Sequence, residues 1–97
     1  MKSLPVTDDL VEIARRIVWF EPPETALGDP VRFLAYAMAR ATAEDMATIR
    51  QYVSDRDFIA ALDAAPPGII DPRSWSYWNL VVADRQPAPP MPVRRLW

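Results

Sequence analysis

The chain contains no cysteine and no histidine. Without thiols there is no disulfide framework, no thiolate metal site and no cysteine nucleophile. Without imidazole the commonest general base and the commonest zinc ligand are gone. Glycine occurs only at Gly28 and Gly68, too far apart to build a phosphate-cradling loop. Lysine occurs only at Lys2, and no hydroxyl lies beside a recognisable base. No apolar run approaches the ~20 residues that a membrane span requires. The opening MKSLPVTDDL has one Lys, then Pro and two acids, which is not the pattern of a secretory signal. Together these gaps point to a cytoplasmic protein that holds no metal or cofactor and is not an enzyme acting alone.

What is present describes one globular domain. Of 97 residues, 51% are apolar and 25% charged, a balance that favours a packed core over disorder. Eleven prolines imply stiff corners rather than flexible loops. Charge is unevenly placed. Residues 1–84 carry eight Lys/Arg against thirteen Asp/Glu, a net of −5. Residues 85–97 carry Arg85, Arg94 and Arg95 and no acid, a net of +3. An acidic body disfavours broad phosphate-backbone binding, which needs clustered positive charge.

Periodicity and caps predict an all-α bundle of about five short helices. Thr7 precedes Asp8, Asp9 and an apolar stripe of Leu10, Ile13, Ala14, Ile17 and Val18. Thr7 is the expected N-cap, and the helix should run to about Phe20 before Pro22-Pro23. Asp29-Pro30 combines an N-cap acid with Pro at the first helical position and opens a helix over about 30–41. Thr42 with Asp45 resembles a capping box and opens a third helix carrying Met46, Ile49 and Val53. Ser54 with Asp57 opens a fourth, carrying Phe58, Ile59 and Leu62, which ends before Pro66-Pro67-Gly68. Asp71-Pro72 repeats the Asp29-Pro30 device and opens a fifth over 72–83. Residues 1–84 thus form a helical domain.

Most of the acids are spoken for. Asp29 and Asp71 read as caps, and Asp8, Asp9, Glu44, Asp45, Asp55 and Asp57 sit in first helical turns, where they satisfy the dipole. The third and fourth helices could pass for a DNA-reading pair. However, the second of them carries Asp55, Asp57 and Asp63 against Arg56 alone, the wrong sign for a polyanion. A plain αα-hairpin explains them better.

The last predicted helix concentrates aromatics. Trp75, Trp78 and Val82 share one face, with Tyr77 and Val81 about a third of a turn away. One reading makes Trp75 and Trp78 core residues. The other makes Trp75, Tyr77 and Trp78 an aromatic groove for a proline-rich segment. Residues 85–97 supply such a segment: RQPAPPMPVRRLW has four prolines and should be extended, reaching roughly 40 Å when stretched. Pro89, Pro90 and Pro92 are expected to lie against the aromatic ridge of the same chain. The terminal Arg94, Arg95 and Trp97 either close over the acidic body or anchor a partner, since Trp and Arg dominate interface energetics.

Several blocks carry a resemblance. They are Ile17-Val18-Trp19, Leu27-Gly28-Asp29-Pro30 with Phe33-Leu34-Ala35, Ala65-Pro66-Pro67-Gly68-Ile69, Ser74-Trp75-Ser76-Tyr77-Trp78-Asn79 and Pro89-Pro90-Met91-Pro92-Val93-Arg94-Arg95. They resemble an uncharacterised family of short bacterial proteins with an SW-x-YWN block and a PP-x-P-x-RR tail. Members are often encoded beside a nucleotidyltransferase-type toxin, which implies an antitoxin-like or partner role. Ala83-Asp84 stands where that pattern has glycine, which puts the turn into the tail in question. The expectation is a non-catalytic protein-interaction module, with partner-binding residues Trp75, Tyr77, Trp78, Arg94, Arg95 and Trp97. The alternative is a DNA-associated regulator that contacts phosphates through Arg94 and Arg95.

Overall fold

A computed structural model describes residues 2–93. Among the described residues the architecture is all-helical, with six helices: α1 Asp8–Ile17, α2 Pro23–Leu27, α3 Pro30–Arg40, α4 Ala43–Ile49, α5 Asp55–Asp63 and α6 Pro72–Ala83. None of them is long and apolar enough to cross a membrane. Arg94, Arg95, Leu96 and Trp97 lie outside the described residues.

The caps explain most boundaries. The Asp29 carboxylate accepts from Arg32 N–H at 3.3 Å and Asp71 from Ser74 N–H at 3.1 Å, opening α3 and α6. At α4 the capping box is reciprocal: Asp45 N–H donates to Thr42 Oγ1 at 3.1 Å, and Thr42 N–H donates to Asp45 at 3.2 Å. At α5, Ser54 N–H donates to Asp57 at 2.9 Å.

Three local expectations are corrected. First, α1 stops at Ile17 rather than near Phe20. Val18 leaves helical geometry (φ −126°, ψ 59°) so that its side chain stays buried, and Arg40 Nη1 donates to the freed Ile17 carbonyl at 2.9 Å. Second, Thr7 holds the expected N-cap position, and its carbonyl accepts from Val11 N–H at 2.8 Å, but its side chain makes no capping bond to the α1 backbone. Its hydroxyl donates to the Asp9 carboxylate at 2.6 Å instead. Third, Pro22-Pro23 does more than end a helix. Pro23 sits at the first position of the short α2, where its missing N–H costs nothing. That turn buries Ala26 and Leu27, and the Leu27 carbonyl accepts from Leu4 N–H at 3.0 Å.

The core sits around α3, which packs on α1, α2, α5 and α6. Phe33, Leu34, Phe58, Leu10, Leu27, Ile49 and Leu62 are fully enclosed in it. Two polar side chains are also buried. Asp45 pairs twice with Arg16, at 2.6 and 2.8 Å. Asn79 donates to the Trp75 carbonyl at 2.9 Å and accepts from Arg85 at 3.2 Å. Among the described residues no buried side-chain N or O atom is left without a partner, as burial demands.

The turn after α6 is built without glycine. Asp84 adopts the left-handed conformation (φ 53°, ψ 39°), and its N–H donates to the Leu80 carbonyl at 3.0 Å. Aspartate visits this region more readily than most non-glycine residues. The Arg85 N–H then reaches the Asn79 carbonyl at 3.0 Å, and its guanidinium pairs with Asp63 at 2.8 Å. The chain is thereby folded back along the bundle.

Candidate functional site

The three aromatics of α6 are distributed to three tasks. Trp75 is 5% exposed, and its indole N–H donates to the Pro89 carbonyl at 2.7 Å. Pro89, Pro90 and Pro92 share a hollow with Trp75, Leu62 and Ala65, and Ala88 and Met91 pack on the core. The proline segment therefore meets Trp75 rather than an aromatic ridge. Trp78, on the neighbouring part of the same face, meets different partners. Its ring stacks on Phe58 at 5.6 Å and 12°, and its N–H donates to the Met38 carbonyl at 3.0 Å. Tyr77 is 56% exposed and stands edge-on to Trp78 at 5.2 Å.

The candidate site is the groove on the Trp78 side, between α3, α4 and α6. It encloses about 480 Å³. Met38 comes from α3, Met46 and Ala47 from α4, and Tyr77, Trp78 and Val81 from α6. Trp78 is fixed by its stack and its hydrogen bond, so this wall is preformed. The methionines are unbranched and polarizable, suited to moulding against an apolar ligand. Arg50 closes one end. Its guanidinium lies 5.2 Å from the Phe58 ring centre and 5.8 Å from that of Trp78, and donates to Asp55 at 2.7 Å. The groove is thus apolar along its length and polar at one end.

Many of the bundle's carboxylates are committed to structure. Glu21 pairs with Arg32 at 2.6 Å, Asp63 with Arg85 and Asp55 with Arg50. The Arg16 hydrogen bonds hold the Asp45 carboxyl below its ordinary range, against a burial effect that would raise it, and the Thr42 bonds add to the lowering. Asp9 is lowered first by the Thr7 hydroxyl, with a further bond from Tyr52 at 3.0 Å. Asp71 is lowered by Ser74. A carboxylate held ionised in this way is a poor proton donor near neutral pH. Among the described residues no three carboxylates gather as a cation site.

Of the residues expected to bind a partner, Tyr77 and Trp78 line the groove and Trp75 holds the tail. Arg94, Arg95 and Trp97 fall outside the described residues. Reading the sequence missed Met38, Met46, Ala47 and Arg50. The two methionines look like ordinary core positions and are buried as such; that they also border a groove depends on how α3, α4 and α6 come together, which is not local. It also missed Asn79, whose side chain ties α6 to the tail. A second exposed cluster was not anticipated either. Trp19, 72% exposed, stands edge-on to Phe20, which meets Tyr36, and Arg40 lies 4.8 Å over the Tyr36 ring.

Compared with family models, curated proteins and solved structures, the chain matches none. The site is therefore read on its own chemistry.

Proposed function

We propose that this chain is a non-catalytic protein-interaction module, antitoxin-like, whose groove between α3, α4 and α6 receives an apolar segment of a basic protein partner. The carrying observation is the open groove of about 480 Å³, walled by Met38, Met46 and Trp78, in a body of residues 1–84 with net charge −5. Apolar contacts provide affinity, and the acidic surround favours a partner of opposite charge and speeds encounter. A nucleotidyltransferase-type protein fits, because a site that handles nucleotide phosphates is commonly basic. The resemblance of the SW-x-YWN and tail blocks points to the same class of partner, and both proteins would meet in the cytoplasm.

The phosphate-contacting alternative rests on Arg94 and Arg95, which lie outside the described residues; a DNA-reading role for α4 and α5 is a separate reading, and the acids of α5 disfavour it. On α5, Asp55 is held by Arg50, Asp57 by Ser54 and Asp63 by Arg85. Co-expression with the neighbouring gene product, followed by size exclusion, tests the reading. A co-eluting complex that weakens with salt and is lost in Ala47→Glu supports it. Absence of co-elution at low salt, together with DNA binding of steep salt dependence, overturns it.

A further inference from the structure

The outer face of α6 carries a pattern of its own, two members of which, Tyr77 and Val81, also border the groove. Arg73, Ser76, Tyr77, Leu80, Val81 and Asp84 are all exposed and follow one another at i, i+3, i+4, i+7, i+8 and i+11. They form one stripe on the side away from the core. Its middle is apolar: Tyr77, Leu80 and Val81 are each more than two-fifths exposed. Its ends carry opposite charges, Arg73 at the start and Asp84 at the C-cap. Neither enters an ion pair among the described residues.

The stripe is complementary to itself when reversed. If a second α6 lies antiparallel across it, with the twofold axis level with Trp78 and Asn79, Arg73 faces Asp84 of the second copy, Ser76 faces Val81, and Tyr77 faces Leu80. Every member of the stripe meets another member, and both end pairs are of opposite charge. The ridge is flanked by the Met38–Met46 groove on one side and by a hollow of about 430 Å³ along Pro87 and Ala88 on the other. Pairing of one patch with its own copy is the condition for an isologous interface. Antiparallel packing also opposes the two helix dipoles.

We infer that the chain forms a twofold homodimer through antiparallel pairing of α6. One helix face about 18 Å long lies at the small end of specific interfaces, so the dimer is reversible and concentration-dependent, with Tyr77 and Leu80 at its centre. The inference does not rest on the groove's partner, but Tyr77 and Val81 are common to both surfaces, so a second copy and that partner compete for this edge.

Sedimentation equilibrium of the full chain over a concentration series tests it. The mass should rise from 11.0 kDa towards twice that value. Leu80→Glu should leave a monomer with an unchanged circular dichroism spectrum. Arg73→Glu should raise the dissociation constant by roughly tenfold or more, because two symmetric pairs turn repulsive together. Adding Asp84→Lys to Arg73→Glu should restore dimerisation. Should that pair fail to fold, the first two variants still decide. A chain that stays at 11.0 kDa at every concentration overturns the inference. So does a dimer untouched by Leu80→Glu, or a folded double variant without recovery.

Discussion

The bond between the Trp75 indole and the Pro89 carbonyl fastens the returning chain to the bundle, and Trp75→Phe removes it while keeping most of the apolar volume. The bond is short, 2.7 Å, and partly buried. Its net loss is worth about 1 kcal/mol. The smaller ring leaves a gap against Leu62, Ala65 and Pro90, worth about another 1 kcal/mol if the chain follows it only partly. The Pro89 carbonyl belongs to an exposed residue, so water can take over the acceptor and the larger cost of an orphaned group does not apply. A loss of about 2 kcal/mol lowers the midpoint of a domain this size by about 10 °C. Thermal unfolding followed by circular dichroism measures that shift. Limited trypsin digestion supplies the local readout, since Arg85 is held by Asp63 and Asn79. Cleavage after Arg85 should accelerate about thirtyfold as the segment undocks more often. An unchanged midpoint with unchanged cleavage would refute the docking of residues 85–93.

Three further outcomes follow from the same contacts. Asp45→Ala removes both the Arg16 pairing and half of a capping box, and should cost about 2 kcal/mol in urea denaturation. The carboxyls of Asp45, Asp9 and Asp71 are held below 3.8 in the folded chain. Their contribution is therefore complete above that pH and lost as pH falls through their lowered values. The unfolding midpoint should drop below about pH 4, and Asp45→Asn should flatten that limb. With no histidine in the chain, stability should be nearly level between about pH 5 and pH 8, so a sigmoidal step there in a pH series of melts would count against the assignment. Asp84→Gly should hold or raise stability and Asp84→Ala should lower it by about 1 kcal/mol, because only the latter meets a full left-handed penalty.

Much of the fold could be read ahead of the structure because its signals are local. Asp29-Pro30 and Asp71-Pro72 fix helix starts through a cap and a preset φ, and neither depends on distant residues. The stop of α1 could not be read. It is set by Val18 finding the core and by Arg40, from another helix, taking the Ile17 carbonyl. The short α2 was hidden because Pro22-Pro23 signals both an end and a beginning. At the site, the aromatic richness of α6 was visible, but its division was not. Which of Trp75 and Trp78 meets the prolines depends on where the chain crosses after Asp84, a turn that sequence spacing alone leaves open. Ala47 carried no sign at all, since only the tertiary arrangement that opens a groove between α3, α4 and α6 makes it a wall.

The central claim concerns the groove, and calorimetric titration of the purified chain into the neighbouring gene product addresses it directly. The account predicts saturable binding that falls at least tenfold in Ala47→Glu, a solvent-facing change on α4, and persists in Leu80→Glu. Binding that ignores Ala47→Glu, or no heat of binding at low salt, would contradict it.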